Sequence, residues 1–267
     1  ILHLLPLSLE EIKGTGYELA SPEEWIFKGM YPRIHAQTIS PADWYPAYIQ
    51  TYIERDLRLL KNISDLSLFQ GFLKMCAART AQLLNLSSLA NDCGITHNTA
   101  KAWMSILEAS FIAYLLRPYH KNFNKRLVKM PKLYFYDTGL VCSLLGIEDK
   151  KQVETHPLRG GLFETAVFSE LVKHRRNRGL LPHLYFWRDR TGNKIDCLIQ
   201  KGEEITPVEI KSGKTLTEDW FKSFDYWRKI VPSHRERSVL IYAGEQSQKR
   251  RSADVLSWDA LGSRQLQ

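Results

Sequence analysis

The chain has 267 residues, a net charge of +8 and a hydrophobic content of 44%. This length suggests two domains, or two domains and a fragment, and the composition is that of a globular protein rather than a disordered one. No run of 18 uncharged apolar residues occurs, so we expect no membrane-spanning segment.

The positive charge is unevenly distributed along the chain. Residues 1–45 carry 3 basic and 6 acidic side chains, residues 46–150 carry 13 and 8, and residues 151–267 carry 21 and 15. A clustered basic excess favours a phosphate-bearing partner, with nucleic acid as the first candidate. A basic surface that serves only solubility explains the charge equally well, so composition leaves both interpretations open.

The cysteine pattern and the first residues indicate a cellular compartment. Cys76, Cys93, Cys142 and Cys197 form no CxxC pair, which disfavours a structural zinc site and a thioredoxin-type site. Isolated cysteines suit a reducing cytosol. The first ten residues are apolar but lack a basic leader and a cleavage site, so we expect no signal peptide and a cytoplasmic protein.

Residues 1–45 predict only a fragment of a domain. A strand at Ile1–Leu5 and a helix from Ser8 precede a segment punctuated by Gly and Pro. This segment contains too little apolar sequence for a core of its own, so we interpret it as the end of a module that begins upstream. Helices are predicted next within residues 41–60 and over Leu66–Leu84.

Residues 87–110 have the pattern of a helix-turn-helix. Ser87 and Ser88 are predicted to cap a short helix through Asp92, Gly94 to end it, and Thr96 to cap a longer helix over Thr96–Ser110. The apolar face of the longer helix comprises Ala100, Trp103, Met104, Leu107 and Phe111. A short helix, a turn with glycine and a longer helix are typical of a DNA-binding pair. The residues predicted to contact bases and phosphates are His97, Asn98 and Lys101.

The segment after this pair predicts a basic β-hairpin. Residues 111–119 and 132–140 are rich in β-branched and aromatic residues. The basic residues between Arg117 and Lys132, where no acid occurs, are Lys121, Lys125, Arg126 and Lys129. A basic hairpin beside a helix-turn-helix predicts a winged helix that binds DNA with release of counterions. Packing of the hairpin on a neighbouring acidic domain, or docking to a protein, remains the alternative.

Residues 151–267 predict the element order α-β-β-β-α-β. The predicted elements are a helix at Leu162–Arg176, strands at Leu184–Arg188, Lys194–Gln200 and Ile205–Ile210, a helix at about Thr217–Ile230, and a strand at Ser238–Tyr242. The fold class is therefore mixed α/β.

Ionic residues interrupt two of these apolar strands. Asp196 lies in one strand, and Glu209 and Lys211 share one face at the end of the next. A hairpin around residues 201–202 would bring Asp196 beside Glu209, and two adjacent carboxylates require a cation or a proton between them. Mg²⁺ fits this donor set, with Lys211 to orient water or offset charge and Glu164 as a third acid. A structural cluster of salt bridges is the alternative.

Asp196, followed after twelve residues by Glu209-Ile210-Lys211, resembles the PD-(D/E)XK motif of restriction-endonuclease-like nucleases. Glu164, in the sequence GGLFE, resembles the helix acid found in many of them. The resemblance implies that Asp196 and Glu209 bind the metal, that Lys211 is catalytic, and that Glu164 is an accessory acid. Two features depart from the pattern: Ile195 replaces a common Pro, and the helix after the motif lacks a Gln and Tyr pair.

Short blocks along the chain resemble the DUF4143 family. In order, they are ILHLLPLSLEEI, GMYPRI, TYIERDLRLL, PKLYFYDTGL, GGLFE, FWRDRTGNKID and VEIKSGK. The resemblance implies an ATPase with an AAA-type module, a winged helix and a nuclease-like domain. Residues 1–45 would then be the end of the ATPase module, 46–155 the winged helix and 156–267 the nuclease-like domain.

The nucleotide-binding loop of such an ATPase does not occur in this sequence. Gly213-Lys214-Thr215 imitates the end of GxxxxGK[ST], but Val208 stands where the first Gly is required. We therefore expect no ATP hydrolysis by this chain alone, and ATP as a cofactor only of a longer protein. The predicted function is Mg²⁺-dependent hydrolysis of DNA by part of an AAA-type ATPase. An oligomer is a further expectation. The alternative is a non-catalytic module that binds DNA or protein for the ATPase.

Overall fold

The computed structural model describes residues 3–37, 39–54, 65–119, 128–231, 237–250 and 253–262. Its α-helices are α1 (Leu9–Ile12), α2 (Pro22–Lys28), α3 (Pro32–Ala36), α4 (Pro41–Tyr48), α5 (Leu66–Ala77), α6 (Leu86–Asp92), α7 (His97–Ala109), α8 (Thr138–Leu144), α9 (Lys150–Thr155), α10 (Arg159–Arg176) and α11 (Lys222–Ile230). Its strands are β1 (Ala113–Leu116), β2 (Lys132–Phe135), β3 (Leu184–Arg188), β4 (Lys194–Lys201), β5 (Glu204–Lys211), β6 (Val239–Tyr242), β7 (Gln248–Lys249) and β8 (Asp254–Ser257). A π-helix at Ile49–Glu54 and 3₁₀ turns at Glu218–Phe221 and Asp259–Gly262 complete the described elements. The architecture is mixed α/β.

Helix α1 begins where the sequence predicts. The Ser8 side chain accepts a hydrogen bond from the Glu11 amide, and the Glu11 side chain accepts one from the Ser8 amide, which together satisfy two free backbone donors. Residues 3–5 form no strand, so the predicted strand at Ile1–Leu5 is wrong for its described part, and residues 1 and 2 lie outside the described residues.

The N-terminal segment packs on helix α10. Glu170, buried in α10, accepts the backbone N–H of Leu9 at 2.8 Å. Lys173, also buried, donates to the carbonyl of Leu7 at 2.9 Å and to Glu170 at 3.0 Å. These contacts join residues 7–9 to the longest described helix, and one continuous apolar core runs from Leu5 to Leu261.

Helices α6 and α7 have the predicted arrangement with one difference in capping. The side chain of Asn85 caps α6 by accepting from the amides of Ser87 and Ser88, so the predicted caps are donors rather than acceptors. Thr96 caps α7 as predicted. Phe111 lies beyond the helix, with φ of 54°, so it is not part of the buried face. The four members of that face within α7 are buried: Ala100, Trp103, Met104 and Leu107.

Strands β1 and β2 pair antiparallel after α7. Both are shorter than predicted, and α5 ends at Ala77 rather than at residue 84. Beyond α5 the chain forms an isolated bridge between Leu83 and Lys132. The β1–β2 pair is tied to the large sheet through a bridge between Pro118 and Phe186.

The large sheet has six strands in the order β3-β4-β5-β6-β8-β7. Strands β3, β4 and β5 pair antiparallel, whereas β6 is parallel to both β5 and β8. Helix α10 covers one face and α11 the other, with a separate apolar cluster on the α11 side. The predicted order α-β-β-β-α-β is present, and β7 and β8 follow it. No described helix has the length and apolar character required to cross a bilayer.

Candidate active site

Asp196, Glu209 and Lys211 lie together on the paired strands β4 and β5. The strands pair antiparallel with Cys197 opposite Val208, and the Asp196 carboxylate accepts the Ile210 amide at 3.2 Å. Lys211 Nζ lies 2.7 Å from Glu209 Oε2 and 3.8 Å from Asp196 Oδ2. One ammonium group therefore contacts both carboxylates.

A β-bulge accompanies Asp196. Tyr185 of β3 pairs with Leu198 of β4, and Trp187 pairs with Ile195. Between these two pairs β3 therefore spans two residue steps and β4 spans three. The extra residue on β4 therefore lies at Asp196 or Cys197. A bulge bends the strand locally and redirects its side chains, which allows the Asp196 carboxylate to contact groups that an unbroken alternation would place on the opposite face.

Glu164 joins the same network through strand β2. Lys132 Nζ donates to Glu164 Oε1 at 2.8 Å and lies 3.9 Å from Asp196 Oδ1. The hydroxyl of Tyr134 donates to the same oxygen of Glu164 at 2.5 Å. The helix acid is thus connected to Asp196 by a lysine from the small hairpin.

Three residues of this network were not predicted from the sequence. They are Lys132, Tyr134 and Lys194, and Lys194 donates to Asp196 Oδ1 at 2.7 Å. Lys194 and Asp196 are separated by two positions on one strand, and this spacing could have indicated their contact. No local pattern connects Lys132 or Tyr134 with Glu164.

Electrostatic surroundings differ for the two strand acids. Burial acts to raise the pKa of Asp196, but Lys194, Lys132 and Lys211 outweigh it and hold the pKa well below its ordinary value. Burial, helped by the nearby Asp196 charge, raises the pKa of Glu209 to about 8 against the effect of Lys211. Asp196 is therefore the permanent anion, and Glu209 is the acid whose ionisation requires additional positive charge.

One carboxylate oxygen of the site has no hydrogen-bond partner among the described residues. Glu209 Oε1 is buried and makes no hydrogen bond to any described residue. An unsatisfied buried acceptor is costly, so a ligand that supplies positive charge or a donor would be favourable here. Within the described ranges, no group of three or more His, Cys, Asp or Glu side chains is arranged to hold a metal ion. The donor set fits the mode in which Mg²⁺ uses two carboxylates and completes its shell with water and phosphate.

An open cleft of about 260 Å³ leads to Glu209 and Lys211. Its other lining residues are Gly192, Asn193, Lys194, Asp219, Trp220, Lys222, Ser223 and Tyr226. Two aromatic rings and three lysines therefore surround the accessible side of the site, whereas Asp196 lies beneath it, almost completely buried.

The residues predicted to bind nucleic acid are only partly described. His97, Asn98 and Lys101 are exposed on the first turns of α7, and Lys129 is exposed before β2. His97 Nδ1 shares a hydrogen bond of 3.2 Å with Ser87 Oγ. Lys121, Lys125 and Arg126 lie outside the described residues.

Two family models match the chain. Residues 20–151 match a domain of unknown function, DUF8612, and residues 159–261 match a second domain of unknown function, DUF4143. The resemblance to DUF4143 is thus confirmed for the C-terminal segment, whereas most of the preceding segment matches a different model.

Curated relatives include an uncharacterized protein of Mycobacterium bovis and an uncharacterized protein of Mycobacterium tuberculosis. Each is 28% identical over 246 residues, which cover 91% of this chain and 54% of the relative. The chain therefore spans about half the length of the curated relatives that it matches. No solved structure matches significantly. The segment that contains Glu164, Asp196, Glu209 and Lys211 is the one that matches DUF4143.

Proposed function

We propose that residues 159–261 form a restriction-endonuclease-like domain that hydrolyses phosphodiester bonds of DNA with Mg²⁺. One observation carries this proposal. Asp196, Glu209 and Lys211 converge on adjacent strands, and the buried Glu209 Oε1 has no hydrogen-bond partner in the described part of the chain.

The protein groups divide the catalytic work. Asp196 and Glu209 would hold Mg²⁺, which would supply polarisation of a phosphoryl oxygen and a lower pKa for a bound water. Lys211 contacts both carboxylates and lines the cleft, so its ammonium can orient the attacking water or donate to the phosphate. A positioned donor of this kind contributes about 3 kcal/mol to transition-state stabilisation.

The cleft suits a nucleotide strand. Trp220 and Tyr226 provide aromatic surface, and Lys194 and Lys211 provide positive charge beside it, whereas Lys222 is paired with Asp219 of the same lining. Aromatic rings combined with a basic groove are typical of sites that stack bases and follow a backbone. We infer that the strand to be cleaved lies across this cleft.

We propose that α6, α7, β1 and β2 form a winged helix that binds DNA. The exposed positions of His97, Asn98 and Lys101 on the first turns of α7 support this assignment, since recognition helices make base and phosphate contacts there. Strand β2 also carries Lys132, which donates to Glu164. This contact joins the proposed winged helix to the site.

We further propose that the chain acts as part of a cytoplasmic AAA-type ATPase that forms oligomers. Its matches cover 54% of the length of each curated relative, which leaves room in those proteins for a further module. ATP would bind that module, because residues 208–215 do not satisfy the phosphate-loop pattern.

The test is a cleavage assay on linear, single-stranded and branched DNA with Mg²⁺, Mn²⁺ or Ca²⁺. Wild type should cleave with Mg²⁺ or Mn²⁺, and Ca²⁺ should support binding with little turnover. Glu209→Gln and Lys211→Ala should lose turnover but retain DNA binding. The matched controls are Glu203→Gln and Lys201→Ala, at exposed positions of the β4–β5 hairpin, and both should cleave as wild type does.

Equal activity in every variant would assign the cleavage to a contaminant or to another site. The second candidate function is a non-catalytic binding module, which is favoured by one observation: each of Glu164, Asp196 and Glu209 already contacts a lysine, as in a structural ion-pair network. DNA binding without cleavage, with and without a restored ATPase module, would support this second candidate.

A further inference from the structure

Lys132 is a charged residue in a buried position. Its side chain is 6% exposed, and its ammonium lies between Glu164 and Asp196 and 5.7 Å from the centroid of the Phe186 ring. The backbone on either side is fixed, since Lys132 pairs with Leu116 in the hairpin and bridges to Leu83. The ammonium therefore has no short route to solvent.

The lysines of the network equal its carboxylates in number. In the part of the chain that the structure describes, three carboxylates (Glu164, Asp196 and Glu209) contact three lysines (Lys132, Lys194 and Lys211). Metal binding requires ionised carboxylates, and with all three ionised the six side chains sum to zero charge, so a bound divalent cation alone leaves an excess of two positive charges. Such an excess is unfavourable in a buried site.

The three lysine side chains differ in how readily they can move from the site into solvent. The side chain of Lys194 is 45% exposed and that of Lys211 is 24% exposed, whereas that of Lys132 is held inside. Lys194 can therefore turn into solvent when a cation binds Asp196. One excess positive charge then remains, and one phosphodiester group, which carries a single negative charge, neutralises it.

We propose that Lys132 is a fixed internal counter-ion that makes Mg²⁺ binding depend on a phosphodiester group in the same site. The free Glu209 Oε1, which has no partner among the described residues, is the ligand atom open to the ion. This inference rests on the proposed function, because it assumes that Asp196 and Glu209 hold Mg²⁺. By reciprocity, Mg²⁺ strengthens phosphate binding by the same factor.

The experiment is calorimetric titration of Mg²⁺ into the intact chain, alone and with a short phosphorothioate DNA that resists cleavage. We expect wild type to bind Mg²⁺ about tenfold more tightly with the DNA than without it. Lys132→Met, which keeps most of the side-chain length but not the charge, should bind Mg²⁺ about tenfold more tightly without DNA, and the dependence of its Mg²⁺ affinity on DNA should shrink. Lys132→Arg should behave as wild type, and so should Lys13→Met, at an exposed position on α1's C-terminal side.

The outcomes separate this inference from the proposed function. Equal Mg²⁺ affinity of wild type and Lys132→Met would overturn the role of Lys132 but leave the metal site intact. No Mg²⁺ binding by either protein, with or without DNA, would overturn the metal site and the role of Lys132 together. If Lys132→Met does not fold, as judged by circular dichroism, the wild-type titrations decide, because Mg²⁺ affinity that is unaffected by DNA contradicts the proposal.

Discussion

Tyr134 donates a 2.5 Å hydrogen bond to Glu164 Oε1, the oxygen that also accepts from Lys132. Burial and the neighbouring Glu164 raise the pKa of Tyr134 well above its ordinary value, so the hydroxyl remains a donor at all physiological pH values. Strand β2 and helix α10, which covers the large sheet, are thus joined by two donors that share one acceptor oxygen. The acidic site depends on both parts of the chain.

This contact predicts unequal effects of two substitutions on stability. Tyr134→Phe removes one donor while Glu164 keeps Lys132, so we expect a loss of about 1 kcal/mol in the free energy of unfolding. Glu164→Ala removes the nearer ion-pair partner of the buried Lys132 and leaves Asp196 at 3.9 Å, so we expect a loss of about 3–5 kcal/mol. Urea unfolding measures both values. Equal losses would contradict the ion pair as the main stabilising contact.

The exposed face of α7 and the segment before β2 predict a salt dependence. Charge reversal of Lys101 and Lys129 together should weaken DNA binding and lower the slope of log K against log salt by about 1 for each lost phosphate contact. Fluorescence anisotropy over a salt series measures this slope. Lys13→Glu is the control, and a double variant with the wild-type slope would exclude this surface from the DNA interface.

The turn after β3 predicts a pH-dependent contribution to stability. Asp189 accepts hydrogen bonds from Thr191, Asn193 and Tyr226. Burial acts to raise its pKa, but the hydrogen bonds from Asn193, Thr191 and Tyr226 outweigh burial and lower it to about 2. Because the folded pKa lies below the unfolded value of about 3.9, the stabilisation is complete above the unfolded pKa and is lost as the pH falls through about 2.

Asp189→Asn should therefore lose about 2 kcal/mol of unfolding free energy at pH 7. The difference between variant and wild type should shrink as the pH falls from about 4 to about 2. Chemical denaturation at a series of pH values measures it. Asp225→Asn, at an exposed position of α11, should differ from wild type by less than about 0.5 kcal/mol, and a constant difference for Asp189→Asn across this range would contradict the assignment.

The close approach of Gly213 to Trp220 allows a test of the indole ring's role in the cleft. A Cβ atom at Gly213 would lie 2.9 Å from Cζ2 and Cη2 of Trp220, so Gly213→Ala must displace the indole ring. If Trp220 stacks a base, binding of single-stranded DNA should weaken by about 1–3 kcal/mol. Gly71→Ala is the control, because nothing lies within 4 Å of its added Cβ. Unchanged affinity in Gly213→Ala and in Trp220→Ala would remove the ring from the proposed strand path.

Local patterns in the sequence predicted the sheet that carries the site. Leu184–Arg188 has its predicted bounds, β4 and β6 each differ from prediction by one residue at one end, and β5 is longer by one residue at each end. Alternation of apolar residues identifies such strands because successive side chains point to opposite faces. The same rule, with the turn at residues 201–202, was enough to bring Asp196 near Glu209.

The caps and ends of elements were less predictable. Asn85, rather than Ser87 or Ser88, caps α6, since several neighbouring polar residues can accept the same amides. Helix α5 stops at Ala77, and the chain beyond it turns to meet β2. The end of α5 depends on competition between helix propensity and pairing with the distant strand β2. The local sequence near Ala77 does not indicate where β2 lies.

The sequence by itself determined the paired acids and the lysine of the E-I-K segment, because i and i+2 spacing on a strand fixes which residues share a face. Tertiary structure alone decided that Lys132 and Tyr134 reach Glu164, across 32 and 30 positions of the chain. Their contact exists because β2 lies beside α10, and that packing follows from burial of apolar surface over the whole core rather than from any local pattern. The pairing of three lysines with three carboxylates among the described residues was therefore decided by the fold.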